Sequence, residues 1–225
     1  MTAQHEWTPE IGVLGTGRMG SRLAAMFARA GRRVLLGSRD PDRAAAIVAD
    51  LDIPALRAGR NADALDAPAV VPTIAVRDGL SDVLNCHCRT LKGKVLIDVS
   101  NPFNADYSDF VTPWDTSAAE ELQRQFPQAR VVGAYKNVFW EVFDHPQFGE
   151  TLSDVLVTGD DAAAKAAFLA LAAGTPFRYL DAGALINSRT VERLTFITSS
   201  LGKQLHSYPR MNWRLLTQPE AAAAA

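Results

Sequence analysis

A doubly wound α/β architecture, with a mostly parallel sheet of about eight strands and a small C-terminal helical lobe, is what this sequence predicts. Three observations carry it. The first is Ile11-Gly12-Val13-Leu14-Gly15-Thr16-Gly17-Arg18-Met19-Gly20, a short apolar run that ends in glycines spaced G-x-G-x-x-G. The second is a helical period directly after it, with Met19, Leu23, Met26 and Phe27 on one face. The third is the next apolar run, Val34-Leu35-Leu36, at the distance that one intervening helix requires. In such a turn the first glycine permits the tight bend. The second lets backbone approach a diphosphate, and the third lets the helix pack close to the strand. The helix N-terminus then turns free N–H groups and its positive dipole end toward phosphate. This is a Rossmann-type dinucleotide cradle.

The remaining elements follow in order. Residues 11–14 form strand one, and the first helix runs over 18–30 with Gly31 as a left-handed stop. Strand two covers 33–37. Asp40 is the N-cap of a second helix, with Pro41 at its first position, and that helix continues to Leu51. A short third strand is expected at 53–56, and a loop or short helix at 61–66. Strand four, 69–75, contains Pro72, which belongs late in the strand where a missing N–H costs least. A helix over 80–85 leads to strand five at 94–99, which Ser100-Asn101-Pro102 breaks sharply. Residues 104–115 have no period and read as a loop. Ser117-Ala118-Ala119-Glu120 has capping-box spacing and opens a helix to Phe126. Strand six is 130–134, strand seven 154–158 and strand eight 177–180, with an alanine-rich helix over 160–173 between the last two. The last helix spans 185–205. Residues 11–205 make one nucleotide-binding domain with a lobe from about 150. Residues 1–10 and 206–225 are tails, and Trp213 and Leu215 suggest that the second of them docks, with a second subunit as one possible surface.

Composition narrows the function. The chain has 225 residues, 48% of them hydrophobic, and a formal charge of −2. A nearly neutral chain offers no nucleic-acid surface and no membrane-binding face. No apolar run approaches the roughly 20 residues of a membrane span. Residues 1–10 are polar and unlike a secretory signal. Two cysteines, Cys86 and Cys88, are too few for a disulfide framework. Cys86-His87-Cys88 lacks a fourth ligand at sensible spacing, so it reads as a helix end and no metal is expected. The expected location is the cytoplasm.

The end of strand two selects the nucleotide. An NAD enzyme usually has an acid here for the ribose 2′-hydroxyl. This chain has Gly37-Ser38-Arg39, and a hydroxyl with a guanidinium fork suits a 2′-phosphate. Arg43, one turn on, can close over the same group. With Gly15, Thr16, Gly17, Arg18, Met19 and Gly20, the NADP(H) set comprises Ser38, Arg39, Arg43, Thr73, Ile74, Ala75, Ser100, Asn101, Pro102 and Ala134. Thr73 to Ala75 belong beside the nicotinamide, because ligands sit at the carboxyl ends of the strands. Ser100 and Asn101 have two readings, contact with the nicotinamide side and plain turn chemistry. After strand six, Tyr135-Lys136-Asn137-Val138-Phe139-Trp140 is richer in aromatics than a surface loop normally is. Such a cluster either packs a lid onto the body or lines a flat pocket; on the second reading Tyr135, Lys136, Asn137, Phe139 and Trp140 are the expected acceptor pocket for a ring system.

Taken together, several segments resemble the NADP oxidoreductases that depend on the deazaflavin coenzyme F420. They are the glycine turn with Gly37-Ser38-Arg39, strand five into Asn101-Pro102, Ser117-Ala118-Ala119-Glu120, Val131-Val132-Gly133-Ala134, and Gly159-Asp160-Asp161. The most specific is Leu180-Asp181-Ala182-Gly183-Ala184-Leu185-Ile186-Asn187-Ser188-Arg189. The resemblance covers residues 11–202. The cytosolic domain of the six-transmembrane-antigen ferric reductases is similar too, above all at Asp98-Val99-Ser100-Asn101-Pro102. The resemblance implies a Rossmann body with a small lobe and a cleft where NADP and the deazaflavin stack; FMN and FAD are further candidate co-substrates, and a homodimer is expected. Hydride then passes directly, and the protein supplies position, dryness and facial selectivity. Two positions depart from the family pattern: Lys136-Asn137 stands where His-Thr or Asn-Thr is usual, and Ala75 where proline is common. Lys136 then has two readings, a salt bridge to an anionic acceptor tail and plain solvent exposure. Two other functions compete: reduction of a small carbonyl or imine, for which Lys136 or Tyr135 would be the proton donor, and a non-catalytic NADP sensor.

Overall fold

The computed structural model describes residues 7–217. Strand β1 (Ile11–Leu14) leads through the glycine turn into α1 (Arg18–Arg29) and back to β2 (Val34–Ser38). There follow α2 (Pro41–Leu51), β3 (Leu56–Arg60), α3 (Asn61–Ala64), β4 (Ala69–Pro72), α4 (Leu80–Asn85), β5 (Val95–Asp98), α5 (Ala118–Gln125) and β6 (Arg130–Gly133). These six strands form one parallel sheet in the order β3-β2-β1-β4-β5-β6. The order reverses between β1 and β4, which opens a crevice at their carboxyl ends.

Alternation along each buried strand divides the core. Val13, Val71, Ile97 and Val132 face one way, against Leu23 and Phe27 of α1 and later Phe168. Their neighbours Leu14, Val70, Leu96 and Val131 face the other, against Ala64 of α3, Leu84 of α4 and Leu122 of α5. A period of two on the strands thus gives each face its own helical layer.

The chain continues through α6 (Trp140–Asp144), a hairpin of β7 (Gln147–Phe148) and β8 (Thr151–Leu152), and then β9 (Asp154–Val157), α7 (Ala162–Ala172), β10 (Arg178–Asp181) and α8 (Ser188–Gln204). Strands β9 and β10 form their own parallel pair. A single antiparallel bridge, Gly133 with Thr158, joins that pair to β6. The main sheet therefore has six strands, not eight, and the last two expected strands stand beside it.

Three local expectations need correction. The third strand begins at Leu56, not at residue 53, because Asp52 ends α2 in the left-handed region (φ 47°) and the Leu56 N–H donates to Ile53 O (2.9 Å), closing a turn. The strand then pairs with β2 so that Arg60 lies opposite Ser38. The β7/β8 hairpin and α6 fall in stretches expected to be loop. The segment beyond Leu205 docks, as Trp213 and Leu215 suggest, but through the described residues it needs no second subunit to do so. It docks on its own chain: the Asp154 N–H donates to Trp213 O (2.9 Å), and the Trp213 indole donates to Thr198 Oγ1 (2.6 Å). Residues 1–6 and 218–225, including the terminal alanines, lie outside the described residues. Among the described residues no helix is long and apolar enough to cross a membrane.

Candidate active site

Two cavities open on the carboxyl edge of the sheet, one on each side of the glycine turn. The first, a cleft of ≈ 410 Å³, takes Arg18 and Met19 from the start of α1, and Pro72, Thr73, Ile74 and Ala75 from the loop after β4. Val99, Ser100, Asn101, Phe103 and Tyr107 follow β5, and Tyr135, Val138, Phe139 and Trp140 follow β6. Its last wall is Thr195, Phe196, Ser199 and Lys203 of α8, with Tyr208 beyond. The second cavity, ≈ 460 Å³, is lined by Ser38, Arg39, Pro41, Arg60, Asn61, Ala62, Val83, Cys86 and His87.

The turn between them is shaped for an anion. Gly15 sits at φ 107°, in the left-handed region. A Cβ on Gly20 would stand 1.9 Å from Gly15 O, so that glycine holds the helix against the turn. A Cβ on Gly17 would meet nothing within 4 Å. Gly17 is the N-cap of α1 and makes no side-chain cap, whereas Asp40, Ser117 and Asp161 cap their helices. The first N–H groups of α1 therefore have no capping side chain, as a diphosphate would need. Thr73 Oγ1 donates to Leu14 O (2.8 Å) and braces the loop after β4 against the turn.

Two orphaned atoms strengthen the fit to a nicotinamide dinucleotide. Asn61 Oδ1, at the second cavity, and Asn101 Oδ1, at the first, are buried without a hydrogen-bond partner. Both are acceptors, and the amino, carboxamide and ribose donors of such a ligand would satisfy them. Asn101 is oriented by its own Nδ2, which donates to Lys136 O (2.8 Å). At the second cavity Ser38 Oγ accepts from the Asp40 N–H (3.1 Å), which leaves the hydroxyl proton to donate. Asp40 Oδ1 accepts from the N–H groups of Asp42 (3.1 Å) and Arg43 (3.2 Å), so this acid is a helix cap. Among the described residues no group of three or more His, Cys, Asp and Glu side chains is placed to hold a metal.

Several expected site residues lie elsewhere. Lys136 is buried at 1% exposure, away from the cleft lining. Its Nζ donates to Asp98 Oδ2 (2.5 Å), Glu192 Oε1 (2.8 Å) and Ser100 O (2.6 Å). Asn137 is fully buried, donates to Asp154 O (2.8 Å) and accepts from the Leu156 N–H (3.2 Å), which staples β9 to the loop after β6. The reason is the backbone at Tyr135: φ of 58° reverses the chain, and the next two side chains turn into the protein. Ala134 and Pro102 are buried and outside the lining, so both act as packing. Arg43 is exposed on the first turn of α2 and does not line the second cavity, whose second guanidinium is Arg60. Gly15, Thr16, Gly17 and Gly20 form the turn itself, while Arg18, Met19, Thr73, Ile74, Ala75, Ser100, Asn101, Tyr135, Phe139 and Trp140 come together at the cleft.

The buried cluster behind the cleft is electrostatically closed. Burial works against the Lys136 charge, but Asp98 and Glu192 outweigh it and hold the ammonium above 10.5. Burial pushes the Glu192 carboxyl above 4.5; Lys136 draws it back and Asp98 adds to the rise. Glu192 also accepts from the N–H groups of Ala118 (3.0 Å) and Ala119 (3.3 Å) at the start of α5. Tyr135 is 1% exposed, and its hydroxyl bonds that of Tyr179 (2.7 Å), which bonds Thr175 Oγ1 (2.5 Å). Burial drives the Tyr135 phenol well above 10, and that of Tyr179 to about 12.

The sequence reading missed Phe103, Tyr107, Tyr208, Arg60 and the α8 wall. Thr195, Ser199 and Lys203 recur every four residues, a helical-face signal that was available. The second and third glycines of the turn, Gly17 and Gly20, separate binding from folding. Gly17→Ala has an ordinary backbone (φ −77°, ψ −176°) and open space, so its melting temperature should match the parent, while NADPH affinity falls about tenfold or more, roughly 1.4 kcal/mol. Gly20→Ala should instead lose roughly 1–3 kcal/mol of stability by overpacking. Calorimetric titration with parallel thermal melts checks both.

Comparison with known proteins identifies what the chain is similar to. A model of the family described as NADP oxidoreductase, coenzyme F420-dependent, matches residues 10–102. The chain is 31% identical over 202 residues to an F420-dependent NADP reductase of Methanothermobacter marburgensis, covering 83% of this chain and 89% of that one. It is 30% identical over 187 residues to metalloreductase STEAP3 of Rattus norvegicus, covering 83% of this chain but only 36% of the length of that relative. A crystal structure of a candidate F420-dependent NADP reductase from Arthrobacter sp. FB24 superposes with a TM-score of 0.78 at 27% identity, covering 93% of this chain and 100% of the other.

Proposed function

The chain belongs to the F420-dependent NADP oxidoreductases and is an NADP-dependent oxidoreductase, and from that premise we propose that its second substrate is a flavin-type ring, with the deazaflavin coenzyme F420 foremost. NADPH supplies a hydride from its nicotinamide, the ring accepts it, and solvent supplies the accompanying proton. The observation that carries this reading is the cleft: Phe103, Tyr107, Phe139, Trp140, Phe196 and Tyr208 line it, and the two proton donors expected from the sequence, Tyr135 and Lys136, are both engaged elsewhere. The Tyr135 hydroxyl is committed to Tyr179, and Lys136 is committed to two carboxylates. A carbonyl or imine reductase needs a donor aimed at the reacting atom. Ring reduction needs position and exclusion of water.

On this reading the turn over residues 15–20 holds the diphosphate. Ser38, Arg39 and Arg60 hold the 2′-phosphate. Asn101 Oδ1 and Ser100 meet the carboxamide side, with Thr73 keeping the β4 loop against the turn. Phe103, Tyr107, Phe139 and Trp140 face the acceptor ring.

Oxidation of NADPH by purified protein, followed by absorbance, tests the proposal with coenzyme F420, FMN, FAD and a panel of small aldehydes and cyclic imines. Turnover with a ring acceptor and none with the carbonyl panel is expected. Turnover restricted to aldehydes or imines would overturn it.

A further inference from the structure

We propose that the C-terminal strap, residues 206–217, is a wall of the acceptor site, and that the face of Tyr208 packs against the acceptor ring. The inference rests on the ring-acceptor reading and goes beyond it, because it assigns a wall of that site to a segment and a side chain past the last helix.

The strap is held along its length. The N–H groups of Ser207 (2.8 Å) and Tyr208 (3.0 Å) both donate to Gly202 O. Met211 lies on Gly202 so closely that a Cβ there would stand 2.8 Å from its Sδ. Further on, Asn137 Nδ2 donates to Asn212 Oδ1 (3.1 Å), and the Leu215 N–H donates to Asp154 Oδ2 (2.7 Å). These bonds fix the backbone on both sides of Tyr208 before any substrate arrives, so its position costs little ordering on binding.

What the strap presents to the cleft is one aromatic face. The Tyr208 ring meets Phe139 and Trp140 edge-on, each with centroids 5.8 Å apart. Lys203 Nζ stands over Tyr208 at 5.6 Å, and the Arg18 guanidinium lies over Trp140 at 4.3 Å. The run Arg18–Trp140–Tyr208–Lys203 thus links the helix of the glycine turn to α8 along the cleft. Tyr208 is still 41% exposed although it is set among aromatics, which leaves part of the ring uncovered in the cleft lining. An offset or edge contact with a planar heteroaromatic ring would cover it.

The test uses the full chain with Tyr208→Ala and Tyr208→Phe, assayed with NADPH against coenzyme F420, FMN and riboflavin, with NADPH dissociation constants and melting temperatures measured alongside. Tyr208→Ala should raise KM for the ring acceptor at least tenfold, with kcat within threefold and NADPH affinity within twofold of the parent. Tyr208→Phe should restore the parent KM, since the ring face acts and the hydroxyl does not. A Tyr208→Ala KM within twofold of the parent overturns the strap inference and leaves the ring-acceptor reading standing, and so does a Phe variant as impaired as the Ala variant. A parent protein that oxidises NADPH with none of the three rings overturns both.

Discussion

Lys136→Met is expected to be strongly destabilising. The methionine fills much of the same volume, but Asp98 and Glu192, both fully buried, lose the cation between them. Breaking a buried pair from one side costs about 3–5 kcal/mol. For a chain of this size that is a fall in Tm of roughly 6–20 °C. The loss should depend on pH in a definite direction. In the parent, the raised Lys136 ammonium stabilises fully below 10.5 and loses that contribution only as pH climbs through the raised value. In the variant, the Glu192 carboxyl loses the one charge that lowered it and rises further. A carboxyl raised in the folded state binds its proton more tightly there than in the unfolded chain, so the variant gains relative stability as pH falls. The gap between parent and variant should therefore be wider at pH 8 than at pH 5. Urea melts across that range decide it. A loss under 1 kcal/mol, or a raised acceptor KM in a fully stable variant, would return Lys136 to the cleft.

Legibility followed the range of the interactions. The glycine turn, the Asp40 cap with Pro41, and the Ser117 cap are local, since each partner lies within a few residues, and each stands where the spacing placed it. Lys136 was misread because the charges that bury it lie 38 and 56 positions away, and no sequence window joins them. The third strand slipped because an edge strand reading Leu-Arg-Ala-Gly-Arg has almost no apolar pattern; pairing with β2, not hydrophobicity, sets its limits. The hairpin of β7 and β8 has two residues per strand, too few to express a period. Tyr208 and the α8 face belong to the cleft only through the way the last helix and strap fold back, a purely tertiary outcome.

The slipped strand bears directly on nucleotide choice. Because Arg60 pairs opposite Ser38 at the end of β3, its guanidinium joins Arg39 at the second cavity, while Arg43 stays outside. Asp40 is spent on capping α2 and offers no carboxylate for a ribose 2′-hydroxyl, the contact an NAD site would use. Two guanidiniums and one hydroxyl with a free proton match a 2′-phosphate, whose bonds are charge-assisted. Arg39→Ala should then weaken NADPH by about 10–150-fold, the equivalent of roughly 1.5–3 kcal/mol. NADH, which lacks that phosphate, should change by no more than about threefold. Arg60→Ala should act in the same direction, Arg43→Ala should leave both affinities near the parent, and Arg39→Ala with Arg60→Ala should erase the preference for NADPH. Titration of each variant with both nucleotides reads this out. Equal losses for NADPH and NADH would mean that these cations serve the fold or the diphosphate. A silent Arg60→Ala beside a damaging Arg43→Ala would mean that the first turn of α2, not the end of β3, closes over the phosphate.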